Sequence, residues 1–208
     1  MEKTESQLLT SHELFPCLLL FGPPGAGKGT VGKILAAAGN HVHLSSGDIF
    51  RTLDPESPSG RLFQQYAGKG FLVPDEVTMQ IWYHYVCGLV ATNRYFPKKQ
   101  LLLLDGIPRN PAQVKLISQY VKIIGVLAFD MPNVEGLIQR LKKRAIIEKR
   151  MDDADESVLR KRMQVYEKET HEILSLFPKE LCYHCNADQK PLEVLRDVLV
   201  KLAGKLSL

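Results

Sequence analysis

Short apolar runs alternate along the chain with longer segments in which apolar residues recur every three or four positions. A short apolar run suits a buried strand, and the longer spacing suits one face of an amphipathic helix. The predicted strands are residues 17–21, 41–44, 101–105, 123–129 and 181–185. Strands that alternate with helices in this way are typical of a parallel sheet covered by helices on both faces. The pattern therefore predicts an α/β fold.

The helical segments carry start signals and apolar faces. The sequence PDE at 74–76 is a helix-start signal, and Val77, Ile81 and Tyr85 follow it at four-residue spacing. Asn110 followed by proline is a second start, with the asparagine as the cap. A long helix is predicted to present one face made of Leu159, Met163, Tyr166, Thr170, Ile173 and Phe177. Residues 191–206 are predicted to form a final amphipathic helix.

Two stretches do not follow the alternation. Residues 45–73 are rich in serine, glycine and proline, and residues 139–154 are rich in charge. Ligands of open α/β sheets bind beyond the carboxyl ends of the strands. We therefore expect both stretches to be insertions at that edge of the sheet.

Composition limits the classes of protein to which the chain can belong. With 208 residues, 45% of them hydrophobic and 24% charged, it has the material for one large core and a polar surface. A net charge of +4 suits an anionic ligand but does not indicate nucleic-acid or membrane binding. No apolar run approaches the length of a membrane span. Residues 1–14 contain three glutamates and make a poor signal or transit peptide, so they are interpreted as an extension of a cytoplasmic protein.

The four cysteines do not form a strong metal motif. Cys17 and Cys87 lie in apolar stretches and are predicted to be buried thiols. Cys182 and Cys185 form a lone C-x-x-C, for which metal binding and incidental thiols in a buried strand are both open. The absence of a second pair at zinc-finger spacing favours the thiols.

The stretch GPPGAGKGT at 22–30 lies between the first predicted strand and a helix that ends at Gly39. A strand, a glycine-rich turn and a helix start are the context of a phosphate-binding loop. The backbone N–H groups of such a turn wrap a polyphosphate, and the helix dipole adds positive potential. Lys28 would reach the β- and γ-phosphates, although Gly29 separates it from Thr30, where the usual loop has the hydroxyl residue next to the lysine. The motif predicts nucleotide binding.

The strand LLLLD ends in Asp105, which places a carboxylate at the same edge of the sheet as the loop. A carboxylate there can hold Mg²⁺ directly or through water. The plainer interpretation is a strand that ends in a turn.

Arginines are concentrated in a short stretch after the fourth predicted strand. Arg140 and Arg144 are four apart on one helix face, and Arg150, Arg160 and Arg162 follow. Phosphoryl transfer needs positive charge placed around the moving group, and guanidinium groups match phosphate oxygens. A solvated helix face would explain any one of these residues alone, but the group of five favours a phosphate site.

Two further arginines follow strand ends. Arg51 follows the second predicted strand and Arg109 the third. They lie apart from the loop at 22–30, which suggests a second phosphate site. The alternative is a nucleotide-dependent switch, or a nucleotide-binding module that has lost phosphoryl transfer. Such a protein would not need both Arg51 and Arg109.

These motifs together resemble the nucleoside monophosphate kinases, and adenylate kinases with a short lid most closely. The similar stretches are GPPGAGKGT, SSGDIFR at 45–51, GKGFLVPDE at 68–76, DGIPRNPAQ at 105–113, the series RLKKR, RMDD and RKR between 140 and 162, and Lys190-Pro191. The Lys-Gly-Thr order is this family's own form of the loop. The resemblance implies a five-stranded parallel sheet of the P-loop type.

The resemblance further implies transfer of a phosphoryl group from Mg·ATP to AMP, giving two ADP. The implied ATP-binding residues are Gly25, Ala26, Gly27, Lys28, Gly29, Thr30, Arg140, Arg144 and Lys190. The implied AMP-binding residues are Ser46, Arg51, Leu72, Val73, Gly106, Arg109 and Gln113. The implied catalytic residues are Lys28, Arg109, Arg144, Arg150 and Arg162, and Asp105 would hold Mg²⁺ through water. The implied form is a monomer whose partners are its nucleotides.

The same resemblance divides the chain into three parts. Residues 1–44, 81–138 and 155–208 would be the core, 45–80 an AMP-binding flap and 139–154 a short lid. Arg144 and Arg150 enclose only AIIEK, so the longer zinc-binding form of the lid is absent.

Three positions leave alternatives open. The spacing after Asp153 is one residue longer than usual, so Arg160 or Lys161 could replace Arg162 at the phosphate. Asn110 matches the related uridylate and cytidylate kinases, which usually have alanine at the position of Ser46. Ser46 and Gln113 favour adenine, because a glutamine can pair with both N6 and a ring nitrogen. UMP/CMP kinase activity remains the alternative.

Overall fold

The computed structural model describes residues 14–150 and 153–205, so nearly all of the predicted extension 1–14 lies outside it. Within these residues five parallel strands form one sheet in the order β2-β3-β1-β4-β5. The strands are β1 (Phe15–Phe21), β2 (Val42–Ser45), β3 (Leu102–Asp105), β4 (Val121–Asp130) and β5 (Cys182–Asn186). All five predicted strands are present, and the predicted fold class is confirmed.

Helices cover both faces of the sheet. They are α1 (Lys28–Gly39), α2 (Ser46–Arg51), α3 (Pro58–Ala67), α4 (Asp75–Ala91), α5 (Pro111–Ile117), α6 (Val134–Glu148), α7 (Glu156–Val165) and α8 (Pro191–Leu202). Side chains of β1 alternate between the two sides, as the pleat of a strand requires. Leu18 and Leu20 pack with α1, α6, α7 and α8. Cys17 and Leu19 pack with α4 and α5. None of the described helices has the length and apolar character needed to span a bilayer.

The sheet order places the site. β1 lies between β3 and β4, so the chain changes direction across the sheet at β1. Leu20 is in register with Asp105, one residue before β1 ends. The loop after β1 and the carboxylate of Asp105 therefore lie side by side at the carboxyl edge, where parallel sheets bind ligands.

The buried face of α4 differs from the spacing in the sequence. Val77, Ile81 and Tyr85 are half-buried. The fully buried face is made of Thr78, Met79, Trp82, Val86 and Leu89. The helix is apolar on more than one side, so the i, i+4 spacing fits either set. Contact with the sheet decides between them.

The long helix predicted from 159 to 177 is wrong as a single α-helix. α7 ends at Val165, and a π-helical segment at Tyr166–Thr170 and a 3₁₀ segment at His171–Leu176 follow. The predicted face is nevertheless largely buried, with Leu159 and Ile173 completely so. The hydroxyl of Thr170 donates to the carbonyl oxygen of Arg109 at 2.8 Å, and this bond joins the π-helical segment to the turn after β3. Irregular turns of this kind often mark functional sites.

The two stretches outside the alternation differ in structure. Residues 45–80 contain α2, α3 and the start of α4. Residues 139–148 are the continuation of α6, so much of the predicted lid is regular helix. The Lys161 ammonium lies 5.1 Å from the ring centre of Phe71, a contact between α7 and residues 45–80.

All four cysteines are free thiols. Cys17 is buried as predicted, whereas Cys87 is only half-buried. Cys182 and Cys185 are three residues apart in β5, so their side chains point to opposite faces of the sheet. Across residues 14–150 and 153–205 the histidines, cysteines and acidic residues form no group of three or more able to hold a metal ion.

Candidate active site

A cleft of about 810 Å³ opens at the carboxyl edge of the sheet. The structure brings these predicted site residues to its wall: Gly25, Ala26, Gly27, Lys28, Gly29, Thr30, Ser46, Arg51, Leu72, Val73, Asp105, Gly106, Arg109, Gln113, Arg140, Arg144, Arg150 and Arg162. Lys190 is the exception. It caps α8, with its backbone N–H donating to Glu193 at 2.9 Å, and its neighbours Gln189 and Pro191 line the cleft instead.

The loop at 22–30 has the backbone that anion binding requires. Gly27, which caps α1, has φ of +95°, a conformation that favours glycine. The first turn of α1 contains no acidic residue, so the helix does not neutralise its own positive end. Lys28 begins α1, and its ammonium donates to the carbonyl oxygens of Gly22 at 2.7 Å and Pro23 at 3.0 Å. The Lys28 side chain thus lies across the loop with which it is predicted to bind phosphate.

Lys28 and Asp105 form an electrostatic pair beneath the cleft. Burial lowers the pKa of Lys28 to about 8, and the charge of Asp105 opposes that effect. Burial raises the pKa of Asp105, but Lys28 and His43 outweigh burial and hold it below its ordinary value. Asp105 therefore stays ionised beside the loop. A methyl group added to Gly29 would lie 3.4 Å from its Oδ2 atom.

A buried carboxylate collects the arginines that follow α6. Asp153 is completely buried and forms ion pairs with Arg144 at 2.6 Å and with Arg150 at 3.6 Å. Arg162 also donates to Asp153. Burial, together with the charge of Arg150, lowers the pKa of Arg144. One carboxylate thus holds three guanidinium groups at the wall of the cleft.

The three candidates on α7 lie in different places. Arg162 lines the cleft. Arg160 is half-exposed and pairs with Glu135 at 3.0 Å and with Glu156 at 2.8 Å. The ammonium of Lys161 lies over the ring of Phe71. Among these three only the Arg162 side chain reaches the same wall as Lys28.

Arg109 occupies the turn after β3. Its Nε donates to the carbonyl oxygen of Gly106 at 2.6 Å, and its Nη2 donates to the Ser46 hydroxyl at 3.3 Å. Ser46 in turn donates to the same Gly106 carbonyl at 2.6 Å. Gly106 has φ of +77°, and a methyl group there would lie 2.8 Å from the Ser46 oxygen, so the turn needs glycine. Burial and the charge of Arg162 lower the pKa of Arg109 to about 10.

Gln113 is nearly inaccessible to solvent, with 1% of its surface exposed, and its amide is held by partners on both sides at one edge of the cleft. Its Oε1 accepts from the backbone N–H of Arg109 at 2.8 Å. Its Nε2 donates to Asp75 at 2.7 Å, and Asn110 donates to the same carboxylate at 2.9 Å. Asn110 also caps α5 by accepting from the Gln113 N–H at 2.8 Å, which confirms the predicted cap.

Arg140 lies at the other end of the cleft, between α6 and the loop before α8. It donates to the carbonyl oxygens of Ala187 at 3.0 Å and Gln189 at 3.2 Å. These bonds use the edge of the guanidinium plane and hold the loop against α6. Leu192 lines the same end and is 80% exposed.

Sequence reasoning missed several residues of the site. The sequence gives Asp153 only as part of the motif RMDD and Asp75 only as part of GKGFLVPDE and a helix start, with no contact assigned to either carboxylate. His43, whose Nε2 lies 3.8 Å from Asp105, carried no signal, because it stands inside a strand pattern. Thr170 was assigned only to the face of a helix. The partners of Asp75, His43 and Thr170 are distant in sequence, and the direction of the Asp153 side chain is set by folding, so spacing does not reveal these contacts.

The cleft carries an excess of buried positive charge. Burial and the charges of Arg109, Arg144 and Arg162 all lower the pKa of Lys28, and only Asp105 opposes them. Buried like charges that face one another are stabilised by an anion placed between them. Lys28 belongs to the loop after β1, whereas Arg51 and Arg109 follow β2 and β3, so cations approach the cleft from two sides. The arrangement can hold two phosphate-bearing groups close together.

Comparison with known proteins gives the family. The model of the adenylate kinase family matches residues 20–181. The chain is 38% identical to an adenylate kinase of Cyanothece sp., covering 77% of this chain and 80% of the relative. It is 34% identical to adenylate kinases of Flavobacterium psychrophilum, over 80% of this chain and 87% of the relative, and of Synechococcus sp., over 90% and 95%. This chain belongs to the adenylate kinase family.

Proposed function

We propose that this adenylate kinase transfers the terminal phosphoryl group of Mg·ATP to AMP, with the roles given below. The observation that carries the proposal is the convergence of Lys28, Arg109, Arg144 and Arg162 in one cleft with two approaches. A switch or a binding module needs only one nucleotide site. Two sets of cations fit a reaction between two phosphate-bearing nucleotides.

The donor nucleotide binds between the loop at 22–30 and the loop before α8. The backbone of Gly25 to Thr30 and the Lys28 ammonium hold the phosphates. Arg140, fixed by two carbonyl oxygens, offers the face of its guanidinium group to the adenine. Lys190 does not line the cleft, so its assigned contact would come through the backbone of its loop or through movement.

The acceptor binds on the side of α2 and the turn after β3. Arg51 and Arg109 hold its phosphate, because a guanidinium group matches phosphate oxygens. Gln113 and Ser46 lie by the base, and the backbone of Gly106, Leu72 and Val73 completes the pocket. Arg51 pairs with Asp48 in this structure, so binding of a phosphate would exchange one anionic partner for another.

The transferring group lies between the two nucleotides. Arg144, Arg150 and Arg162 are held by Asp153 and carry the charge that stabilises the transition state. No general base is required, because positioning and charge supply most of the catalysis in phosphoryl transfer. Closure over the nucleotides would exclude water and so prevent hydrolysis of ATP.

The donor set fits magnesium. Mg²⁺ prefers oxygen ligands and keeps several of its waters, and Asp105 offers an ionised carboxylate directly beside the loop. Asp105 would hold the ion through water. When bound, Mg²⁺ would neutralise part of the negative charge of the phosphates.

A panel of acceptors tests the assignment. Formation of ADP from ATP should be measured with AMP, CMP, UMP and GMP under the same conditions. We expect AMP to be preferred over CMP and UMP by at least about tenfold in kcat/KM, because a smaller base leaves buried polar groups unpaired. Equal use of CMP or UMP would overturn the assignment in favour of a UMP/CMP kinase.

Two variants locate the acceptor base. Gln113→Leu should raise KM for AMP far more than KM for ATP, since Gln113 lies on the acceptor side of the cleft. Ser46→Ala should narrow the preference for AMP over CMP without abolishing transfer. If either variant changed KM for AMP and KM for ATP equally, its side chain would not lie beside the acceptor base.

Residues 45–80 and 139–154 are proposed to be mobile covers. An inhibitor that joins two adenosines through five phosphates fills both halves of the cleft. It should protect both stretches from proteolysis far more than ATP alone, because closure of both needs both halves filled. Equal cleavage with and without the inhibitor would refute the proposal.

The chain is further proposed to act as a cytoplasmic monomer. Four free thiols suit a reducing compartment, and all the groups assigned to the reaction come from one chain. Light scattering after size-exclusion chromatography should give a mass close to 23.4 kDa. A mass twice as large would refute the monomer.

A further inference from the structure

The side-chain amide of Gln113 is held by two groups of opposite hydrogen-bonding character. The backbone N–H of Arg109, which can only donate, meets Oε1 at 2.8 Å. The carboxylate of Asp75, which accepts, meets Nε2 at 2.7 Å. A reversed amide would place N–H against N–H and oxygen against oxygen. The orientation of the amide is therefore fixed by its partners.

Asp75 is itself held in place. Asn110 donates to its two carboxylate oxygens at 2.9 and 3.2 Å. The Asn110 amide cannot reverse either, because its own oxygen accepts from the Gln113 backbone N–H at 2.8 Å. Asp75 does not line the cleft, whereas Gln113 does. The carboxylate thus acts from behind the wall, through the glutamine.

The bonds to Arg109 and Asp75 use one lone pair of the Gln113 oxygen and one of its two N–H groups. One lone pair of Oε1 and one N–H of Nε2 remain for a ligand. The bonds to Arg109 and Asp75 decide which end of the amide accepts and which end donates. A 6-aminopurine presents a donor at N6 and an acceptor at N1, the complementary order. A 6-oxopurine presents an acceptor at O6 and a donor at N1–H, the opposite order. A glutamine free to reverse would bind both purines equally well.

We propose that Asp75 is a positioning residue that fixes the orientation of Gln113 and so makes the acceptor site select 6-aminopurine over 6-oxopurine nucleotides. This inference rests on the proposed function, because it requires the acceptor base to lie against Gln113. The bond from the Arg109 backbone is a second restraint on the same amide. Removal of the carboxylate therefore relaxes the selectivity in part.

The test compares AMP with IMP, which differ only at the edge of the base that Gln113 would face. In the wild type we expect kcat/KM for AMP to exceed that for IMP by at least about 100-fold, which is the size of discrimination when buried polar groups meet unmatched partners. Asp75→Asn introduces an amide that can donate as well as accept. It should lower the AMP/IMP ratio about tenfold, through a lower KM for IMP and a higher KM for AMP, with KM for ATP unchanged.

Glu76→Gln is the matched control. Glu76 is exposed and lies in the same first turn of α4 as Asp75, and its replacement by glutamine removes the same charge. Its AMP/IMP ratio should equal that of the wild type. A change in this ratio as large as that of Asp75→Asn would attribute the effect to the charge of the helix start and overturn the proposal.

The remaining outcomes separate the inference from the proposed function. A wild type that uses neither AMP nor IMP refutes the function itself. A wild type that uses both equally well refutes the inference and leaves the function intact. If Asp75→Asn lowers both activities and keeps the ratio, Asp75 is only structural. If that variant does not fold, Asp75→Ser, whose hydroxyl can also donate or accept, replaces it. A lowered AMP/IMP ratio then supports the proposal, and a ratio equal to that of the wild type overturns it.

Discussion

Replacement of Lys28 by methionine removes the buried charge nearest to the predicted donor phosphates. Methionine keeps the length of the side chain and a good helix propensity. Loss of one preorganised electrostatic group typically lowers turnover by about 10²- to 10³-fold, and loss of a full charge extends the upper limit to about 10⁴-fold. We expect Lys28→Met to fall within this range.

The effect on stability can be worked from the structure. The difference between the ordinary pKa of Lys28, 10.5, and its value of about 8 corresponds to about 3 kcal/mol at about 1.4 kcal/mol per pKa unit. This is the cost that burial and the neighbouring charges place on the charged ammonium in the folded protein, without its bonds to the loop. The variant relieves that cost but loses the bonds to Gly22 and Pro23, each about 1.5 kcal/mol for a charged donor. The two contributions nearly cancel, so the melting temperature at pH 7 should change by only a few degrees.

The pH dependence of stability gives an independent check. Because the pKa of Lys28 is lower in the folded chain, the unfolded chain binds more protons between pH 8 and 10.5. The contribution of Lys28 to the free energy of unfolding therefore rises with pH over that window. The difference in stability between wild type and Lys28→Met should shift in favour of the wild type by about 3 kcal/mol over the same window.

The assays are steady-state formation of ADP and urea unfolding followed by circular dichroism, both for the wild type and the variant. A folded variant with nearly normal turnover would refute the assignment of the loop. A variant that loses turnover because it is unfolded at the assay temperature would show that the relieved cost of the buried charge does not offset the lost bonds to Gly22 and Pro23. Retained stability with lost turnover supports both.

Three further predictions follow from other parts of the site. In the wild type kcat/KM for Mg·ATP should fall above pH 8, where Lys28 of the nucleotide-free enzyme loses its proton. The variant Lys28→Arg should lack this fall, and identical pH profiles for the two proteins would contradict a pKa of about 8 for Lys28. Arg162→Ala should lower kcat by about 10²-fold or more, whereas Arg160→Ala, on an exposed ion pair, should stay within about twofold; the reverse order would exchange their roles. A zinc-selective chelator followed by Mg²⁺ should leave activity and melting temperature unchanged, and a fall in melting temperature would make Cys182 and Cys185 ligands.

The alternation of apolar runs and helical spacing was sufficient to predict the five strands, since strands of a parallel sheet are buried on both faces and are therefore nearly continuous apolar runs. The loop at 22–30 could equally be predicted to bind phosphate, because its glycines and Lys28 are neighbours in the chain and act together locally. Arg109 and Gln113 could be predicted as site residues for the same reason, as parts of one continuous motif, and both line the cleft.

Tertiary structure decided what depends on contacts between distant segments. The face of α4 that is buried follows from its contact with the sheet, because the helix is apolar on more than one side. α7 ends at Val165, and Thr170 of the π-helical segment that follows it bonds to the turn after β3, 61 positions away in the chain. Helix spacing alone cannot predict a change of helix type.

The same physical reason separates the residues of the site. Arg160, Lys161 and Arg162 are consecutive charged residues, and only the direction of each side chain on the folded helix distinguishes them. Asp75 and Asp153 stand in the motifs GKGFLVPDE and RMDD, but these motifs do not show what the two carboxylates bind. Asp75 accepts from Gln113, 38 positions away, and Asp153 accepts from Arg162, 9 positions away. The sequence by itself determined which chemistry is present, and the tertiary structure determined how each group is oriented, because orientation depends on partners that only folding brings together.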